Sequence, residues 1–150
     1  MCAGATFKKH EATEKVVDVS GFHDSLNTMK NIEVVTAITT IDLKGETIIG
    51  VFNESLWFED TMEHSLMPPI QLWDYSITVD SVPKQYSEGR SLHGIYSYHD
   101  DVSIPFHMKG STSYFSSRMP TEEEKRSSWW VVFTSKKEWD PTLEKFRQAF

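Results

Sequence analysis

The sequence has little cysteine, no excess of positive charge and no long apolar run. Cys2 is the only cysteine among 150 residues, so no disulfide can form within the chain, which is typical of a reducing compartment. Lysine and arginine total 15 against 22 aspartates and glutamates, giving a net charge of −7. This balance argues against binding to nucleic acids or to anionic membranes. No stretch resembles a signal peptide or a membrane-spanning helix. We therefore expect an intracellular, cytoplasmic protein without nucleic-acid or membrane partners.

Short motifs of several enzyme classes are also missing. The chain contains no G-x-S-x-G, H-E-x-x-H, C-x-x-C, P-loop or G-x-G-x-x-G pattern. The densest group of possible metal ligands comprises His93, His99, His107, Asp100 and Asp101. Zinc needs three or four donors that converge, and these spacings match no ligand pattern. We therefore expect surface side chains there, and neither a metal nor a cofactor.

Strand-forming residues dominate the pattern. Residues 34–41 are dense in β-branched side chains, Lys44-Gly45 interrupts them, and residues 46–52 resume the run. Two such runs around a glycine-containing turn predict a β-hairpin. Residues 55–58 are predicted to form a separate third strand.

Further strands are predicted in the rest of the chain, at residues 76–80, 92–98, 102–106, 111–116 and 129–133. Pro105 places its strand at a sheet edge. Short helices are predicted at residues 69–73, 121–126 and 141–150, where prolines or a capping box stand at helix starts. Closely spaced strands with glycine-marked turns predict a mainly β fold, a small closed barrel or a sandwich. We expect one domain over residues 1–141 and a short helical tail over 142–150.

Several segments carry a resemblance to a known family. They are, in chain order, Cys2-Ala3-Gly4, residues 18–22, 46–58, 63–72, 79–85, 118–124 and 134–141. Together they resemble the protease region of copia-type retrotransposon polyproteins. The resemblance implies a retropepsin-like fold and a homodimer in which each subunit supplies one catalytic aspartate. It also implies a parent gag-pol polyprotein, or peptide segments of it, as partner.

The resemblance makes one missing motif important. In this family a catalytic Asp-Ser-Gly or Asp-Thr-Gly stands just before a Cys-Ala-Gly like Cys2-Ala3-Gly4, and the chain contains neither triplet. Two neighbouring carboxylates share a proton there, so that one acts as base and the other as acid. The segment Asp18-Val19-Ser20-Gly21 comes nearest, but it has an inserted valine and lies downstream of the catalytic loop, so a turn is the better interpretation. We therefore assign no catalytic, cofactor-binding or metal-binding residue.

The short pattern Ile48-Ile49-Gly50 allows two interpretations. It fits two apolar residues and a glycine that retroviral-type proteases carry near their catalytic loops. A glycine in a strand can equally mark a bulge or close packing.

Three hypotheses remain open. The first is a catalytically inactive protease-like fragment, which we expect to be marginally stable and prone to associate. The second is a dimeric aspartic endopeptidase whose first residues, with the catalytic motif, are missing. The third is a binding or self-association module on the same β scaffold, with exposed Trp73 and Trp139 as its contact patch. Trp57 and Trp130 lie inside apolar runs and are predicted to belong to the core.

Overall fold

A long β-hairpin organises the fold, and the computed structural model describes residues 1–20, 28–143 and 145. Strands β3 (Met29–Leu43) and β4 (Glu46–Trp57) run antiparallel with Ile41 opposite Ile48. The turn between them uses Gly45 at φ 80°, a conformation that glycine adopts without a steric cost. The predicted hairpin is therefore confirmed.

The separate strand predicted at residues 55–58 is wrong, because these residues continue β4. The antiparallel register shifts between Val35 and Ala37 of β3, opposite residues 52–55 of β4. Glu54 has φ 53°, which marks a bulge within one strand. The bulge accommodates the polar residues Asn53 and Glu54 within β4. In the sequence these residues suggest a break between two strands, but in the structure the strand continues through them.

Strand β2 (Lys8–Val19) pairs antiparallel with β3 and forms an edge of this sheet. Half of its residues are charged and most are exposed, which is why the sequence pattern does not reveal it. Asp18 and Val19 end the strand rather than forming the predicted turn, and Gly21 lies outside the described residues.

The opposite edge of β4 carries two short parallel strands. Strand β1 (Cys2–Ala3) pairs with Leu56 and Trp57, and β10 (Trp129–Val132) pairs with residues 48–51. A strand at β10 was predicted, but its parallel pairing with β4 was not.

A second sheet consists of β5 (Ile77–Asp80), β6 (Gly94–Ser97) and β7 (Val102–Pro105), all antiparallel. Pro105 lies on the edge strand of this sheet, as predicted. A separate two-stranded hairpin follows, formed by β8 (His107–Lys109) and β9 (Thr112–Tyr114).

Helices are few and short. Helix α1 (Pro69–Trp73) and helix α2 (Glu122–Ser127) lie where the sequence predicts them. Thr121 and Glu124 form the expected reciprocal capping box of α2. Glu59–Thr61 and Lys84–Tyr86 form 3₁₀ turns. Most of the helix predicted at residues 141–150 lies outside the described residues.

One apolar core joins the two larger sheets. Phe52 of β4 stacks on Phe133 with ring centroids 5.3 Å apart and meets the edge of Phe7 at 5.5 Å. Ile77 and Ile95 of the second sheet belong to the same buried cluster. A smaller cluster lies on the far side of the first sheet and comprises Ile38, Ile49 and Val51, with Trp130 and Val132 packed on it.

The mainly β class is confirmed, with few short helices. The described residues form no closed barrel, and the two sheets that share the core agree with the sandwich alternative. Among the described residues no helix has both the length and the apolar composition needed to cross a membrane.

Candidate functional site at the interrupted edge of β4

The edge of β4 that carries β1 and β10 is interrupted at residues 53–55. Strand β10 reaches Val51, whose carbonyl accepts the Phe133 N–H at 2.9 Å. Strand pairing resumes at Leu56, whose N–H donates to the Met1 carbonyl at 2.8 Å. We call the space between these two strands the β4 gap, lined by Met1, Asn53, Glu54, Gln71 and Thr134.

Side chains take over the hydrogen bonds of the missing strand. The Gln71 amide Nε2 donates to the carbonyls of Asn53 and Glu54 at 3.3 and 3.1 Å. Thr134 Oγ1 donates to the Asn53 carbonyl at 2.8 Å, and Asn53 Nδ2 donates back to the Thr134 carbonyl at 2.8 Å. Buried backbone groups need such partners, because an unpaired one costs about as much as a lost hydrogen bond. The gap is therefore closed by side chains instead of a strand.

The bulge in β4 also fixes its neighbours. Thr36 Oγ1, on β3, donates to Asn53 Oδ1 at 2.8 Å. Every buried side-chain nitrogen or oxygen among the described residues has a hydrogen-bond partner. A polar network that is fully satisfied in this way holds one geometry.

The carboxylate of Glu54 lies at the gap and already has hydrogen-bond partners within the chain. Its side chain is 5% exposed, Lys15 Nζ lies 2.5 Å from Oε1, and the Trp139 N–H donates to the same oxygen at 2.9 Å. Lys15 follows Glu14, a second bulge residue at φ 65°, which directs β2 toward β4. A buried charge needs such a partner, and the two bonds to Glu54 Oε1 join three parts of the chain.

The first residues of the chain are held tightly at the gap. The Met1 amine donates to Gln71 Oε1 at 2.6 Å, and burial lowers the pKa of this amine to about 6. Cys2 exchanges backbone hydrogen bonds with Leu66 at 2.8 and 3.0 Å, and burial raises the pKa of its thiol. A β-carbon at Gly4 would lie 2.3 Å from the Met62 carbonyl oxygen. Only glycine fits this close approach, which explains why a glycine stands at the end of the Cys2-Ala3-Gly4 segment.

The chemistry that this arrangement supports is binding and anchoring. Its donors and acceptors are amides, hydroxyls and one amine, and its single carboxylate, Glu54, is neutralised by Lys15. Two carboxylates that share a proton, as acid–base hydrolysis by aspartic proteases requires, do not occur among the residues that line the gap.

The residues singled out in the sequence lie in different places. Ile48 and Ile49 are fully buried beside β10, and a β-carbon at Gly50 would lie 3.1 Å from both Ile41 and Phe52. Close packing therefore accounts for this glycine.

The histidine group does not converge. His99 and His107 are exposed, as expected, and pack on Tyr98 and Tyr114. The expectation of a surface side chain is wrong for His93, which is buried and contacts Ser113. No group of three or more histidine, cysteine, aspartate or glutamate side chains in the described part of the chain is placed to hold a metal ion.

The tryptophans divide by exposure. Trp57 and Trp130 are partly buried and pack against the two apolar clusters, as predicted. Trp73 is 55% exposed, whereas Trp139 is half-buried and binds Glu54 through its backbone.

Sequence reasoning missed the residues that build the gap. Asn53, Glu54 and Thr134 lie in segments that carry the resemblance, but nothing in their local pattern indicated that they would meet. Gln71 also lies in such a segment. It is a single polar residue among prolines and apolar residues, and this contrast is a signal that could have identified it.

Comparisons of the chain with protein-family models, with curated proteins and with solved structures find no match.

Proposed function

We propose that the chain is a catalytically inactive, retropepsin-like domain related to the protease region of copia-type retrotransposon polyproteins. The observation that supports this proposal is the convergence at the β4 gap of separate segments that carry the resemblance. Ala3 pairs with Trp57, Cys2 bridges to Leu66, and Gln71 binds both Met1 and β4. In the family, the catalytic loop directly precedes the Cys-Ala-Gly segment, so this is the place where its loop would lie.

The proposed inactivity rests on the residues at that place. The sequence contains no Asp-Ser-Gly or Asp-Thr-Gly. Glu54 does not replace the missing pair of aspartates, because it is the one carboxylate among the residues that line the gap and its Oε1 is bound by Lys15 and the Trp139 amide. Without a general base, the scaffold does not activate water.

An alternative from the same family is an aspartic endopeptidase that acts on its parent polyprotein once a catalytic segment precedes Met1. The observation that favours it is the position of the Met1 nitrogen, which lies at the gap beside Gln71. A preceding segment would therefore start next to the residues that close β4.

The two proposals are separated by adding Asp-Ser-Gly ahead of Met1 through spacers of increasing length. The matched control carries Asn-Ser-Gly with the same spacers, and cleavage of an unstructured protein is measured at acidic pH. Cleavage with aspartate but not asparagine would establish the endopeptidase alternative. Cleavage by the chain without any addition would contradict the proposed inactivity.

Sequencing the transcript and genomic DNA upstream of the Met1 codon provides an independent test. An in-frame Asp-Ser-Gly or Asp-Thr-Gly would favour the endopeptidase. A stop codon, a frameshift or unrelated sequence would favour the inactive domain.

A third candidate is a self-association module, consistent with the homodimer that the resemblance implies. Leu66, which bridges to Cys2 of β1, is 62% exposed, and Ile70 and Trp73 of the following helix α1 are 38 and 55% exposed. Exposed apolar groups of this kind mark contact surfaces.

Sedimentation equilibrium of Trp73→Ser and Leu66→Ser variants tests the module, with Tyr98→Ser as the control, since Tyr98 is 77% exposed in the turn between β6 and β7. We expect the first two variants to weaken association and the control to retain it. A protein that is monomeric before any substitution would remove this candidate.

A further inference from the structure

A trough open to solvent lies between the Lys84–Tyr86 turn and the β8–β9 hairpin, away from the β4 gap. Two adjoining cavities of about 340 and 360 Å³ share Pro83, Gln85 and Met108. Phe106 and His93 line one of these cavities, and Ser113 lines the other. We call this feature the hairpin trough.

The floor of the hairpin trough is held in place before any ligand arrives. His93 is 9% exposed, its Nε2 lies 3.1 Å from Ser113 Oγ, and its carbonyl accepts the Phe106 N–H at 2.8 Å. The His93 and Phe106 rings meet edge to face at 5.8 Å. A preformed site loses less conformational freedom on binding, so contacts there contribute more to affinity.

The hairpin trough has one charged side chain in its lining, and that charge is positive. The chain carries a net charge of −7, yet the lining residues include Lys84 and no aspartate or glutamate. Lys84 forms no ion pair with any residue that the structure describes, and the same holds for Lys109 at the end of β8. A lysine without an ion-pair partner at this place favours a negatively charged group in the partner.

The shape of the hairpin trough suits an extended chain better than a small molecule. Small-molecule sites enclose most of their ligand, whereas this site is a shallow groove with an apolar floor of Pro83, Phe106 and Met108. Within the described residues, β8 and β9 pair only with each other, so each strand has a free backbone edge. Extended peptides add to such edges and place alternate side chains into neighbouring pockets.

We propose that the hairpin trough binds an extended peptide in which acidic residues alternate with apolar ones. The apolar side chains pack on Phe106 and Met108, and a carboxylate lies near Lys84. This site is independent of the β4 gap, so its failure would leave the proposed function of that gap unchanged.

The test uses the labelled peptide Ala-Leu-Glu-Leu-Glu-Ala, with matched versions in which both glutamates are glutamine or lysine. Binding is measured by fluorescence anisotropy at low salt and mapped by amide NMR shifts. We expect the glutamate peptide to bind most tightly, to weaken with added salt and to shift the amides of Lys84 and Ser113. Reversing one charge near a protein surface should weaken binding about fivefold in the Lys84→Glu variant.

Lys44→Glu is the matched control, because Lys44 is an exposed lysine in the turn between β3 and β4. It has the same effect on net charge and should leave the affinity unchanged. Met108→Ser, a change at a 39% exposed side chain, should also weaken binding without unfolding the protein. Equal binding of the glutamate and lysine peptides, an unaffected Lys84→Glu variant, or shifts confined to other surfaces would overturn the proposal.

Discussion

The two edges of β4 are paired in different ways. Along one edge, β3 pairs with β4 over almost its whole length, with one register shift. The pairing runs from Leu43 opposite Glu46 to Val34 opposite Leu56. Along the other, β1 and β10 cover only two and four residues, and side chains bridge the space between them. The first edge is made by neighbours in sequence, and the second by the first residues of the chain and residues near its end.

This difference shows where the fold depends on long-range contacts. A hairpin register follows from its turn and from the alternation of its residues. The parallel edge instead needs Gln71, Asn53 and Thr134 to meet from three distant segments. Substitutions at the parallel edge should therefore cost more stability than changes at the turn end of the hairpin.

The largest effect is expected for Phe133→Ala, which removes the ring stacked on Phe52 just after β10. Phe133 is fully buried, and loss of a buried phenylalanine costs about 3–5 kcal/mol of unfolding free energy. Urea denaturation measures the change. Tyr98→Ala, at an aromatic residue that is largely exposed, is the control and should stay near the parent stability.

A smaller loss is expected for Gln71→Ala, which removes the amide partner of the Glu54 carbonyl and of the Met1 amine and leaves the Asn53 carbonyl with Thr134 Oγ1. Unsatisfied buried groups cost about 1–3 kcal/mol each, and partial access of water should limit the total to about 3 kcal/mol. Thr47→Ala removes the exposed bond to Asp42 at the hairpin end and should change stability by less than about 0.5 kcal/mol. Equal losses in the two variants, measured by thermal and urea unfolding, would contradict the difference between the edges.

The pH dependence of stability gives the third and smallest effect. Folding lowers the pKa of the Met1 amine from 8.0 to about 6, so between these values the unfolded chain binds more protons. Stability should therefore rise with pH across this interval, by up to about 2.7 kcal/mol at 1.36 kcal/mol per pKa unit. Below about pH 6 the amine is charged in both states, and the full cost remains.

The measurement compares a protein that begins at Met1, verified by mass spectrometry, with the same protein acetylated at that amine. Acetylation removes the titrating group, so the difference between the two curves isolates it from the six histidines. Parallel curves between pH 6 and 8 would show that the amine is hydrated in the folded state.

The sequence predicted local features well. Gly45 and the β-branched residues around it identify the β3–β4 hairpin, and Thr121 with Glu124 identifies the start of α2. Pro105 placed β7 at an edge. Each of these depends on a few adjacent residues, whose turn, capping or backbone preferences act without the rest of the fold.

The features that the sequence did not reveal depend on partners far along the chain. Strand β2 is charged because its side chains are largely exposed, so it lacks the apolar alternation of a half-buried strand. The polar residues Asn53 and Glu54 suggested a break, because the bulge that accommodates them is stabilised by Thr36, Gln71 and Thr134. Which strands pair in parallel cannot be read from periodicity alone.

The interrupted edge of β4 also affects the order in which the first sheet can form while the protein is being synthesised. The β3–β4 hairpin leaves the ribosome early, and its local contacts can form quickly. The edge of β4 at Ile48, Ile49 and Val51 then remains unpaired until β10 is translated, more than 70 residues later. Between the synthesis of β4 and that of β10, a nascent chain therefore presents an unpaired hydrophobic strand edge, a surface that chaperones shield and that promotes aggregation.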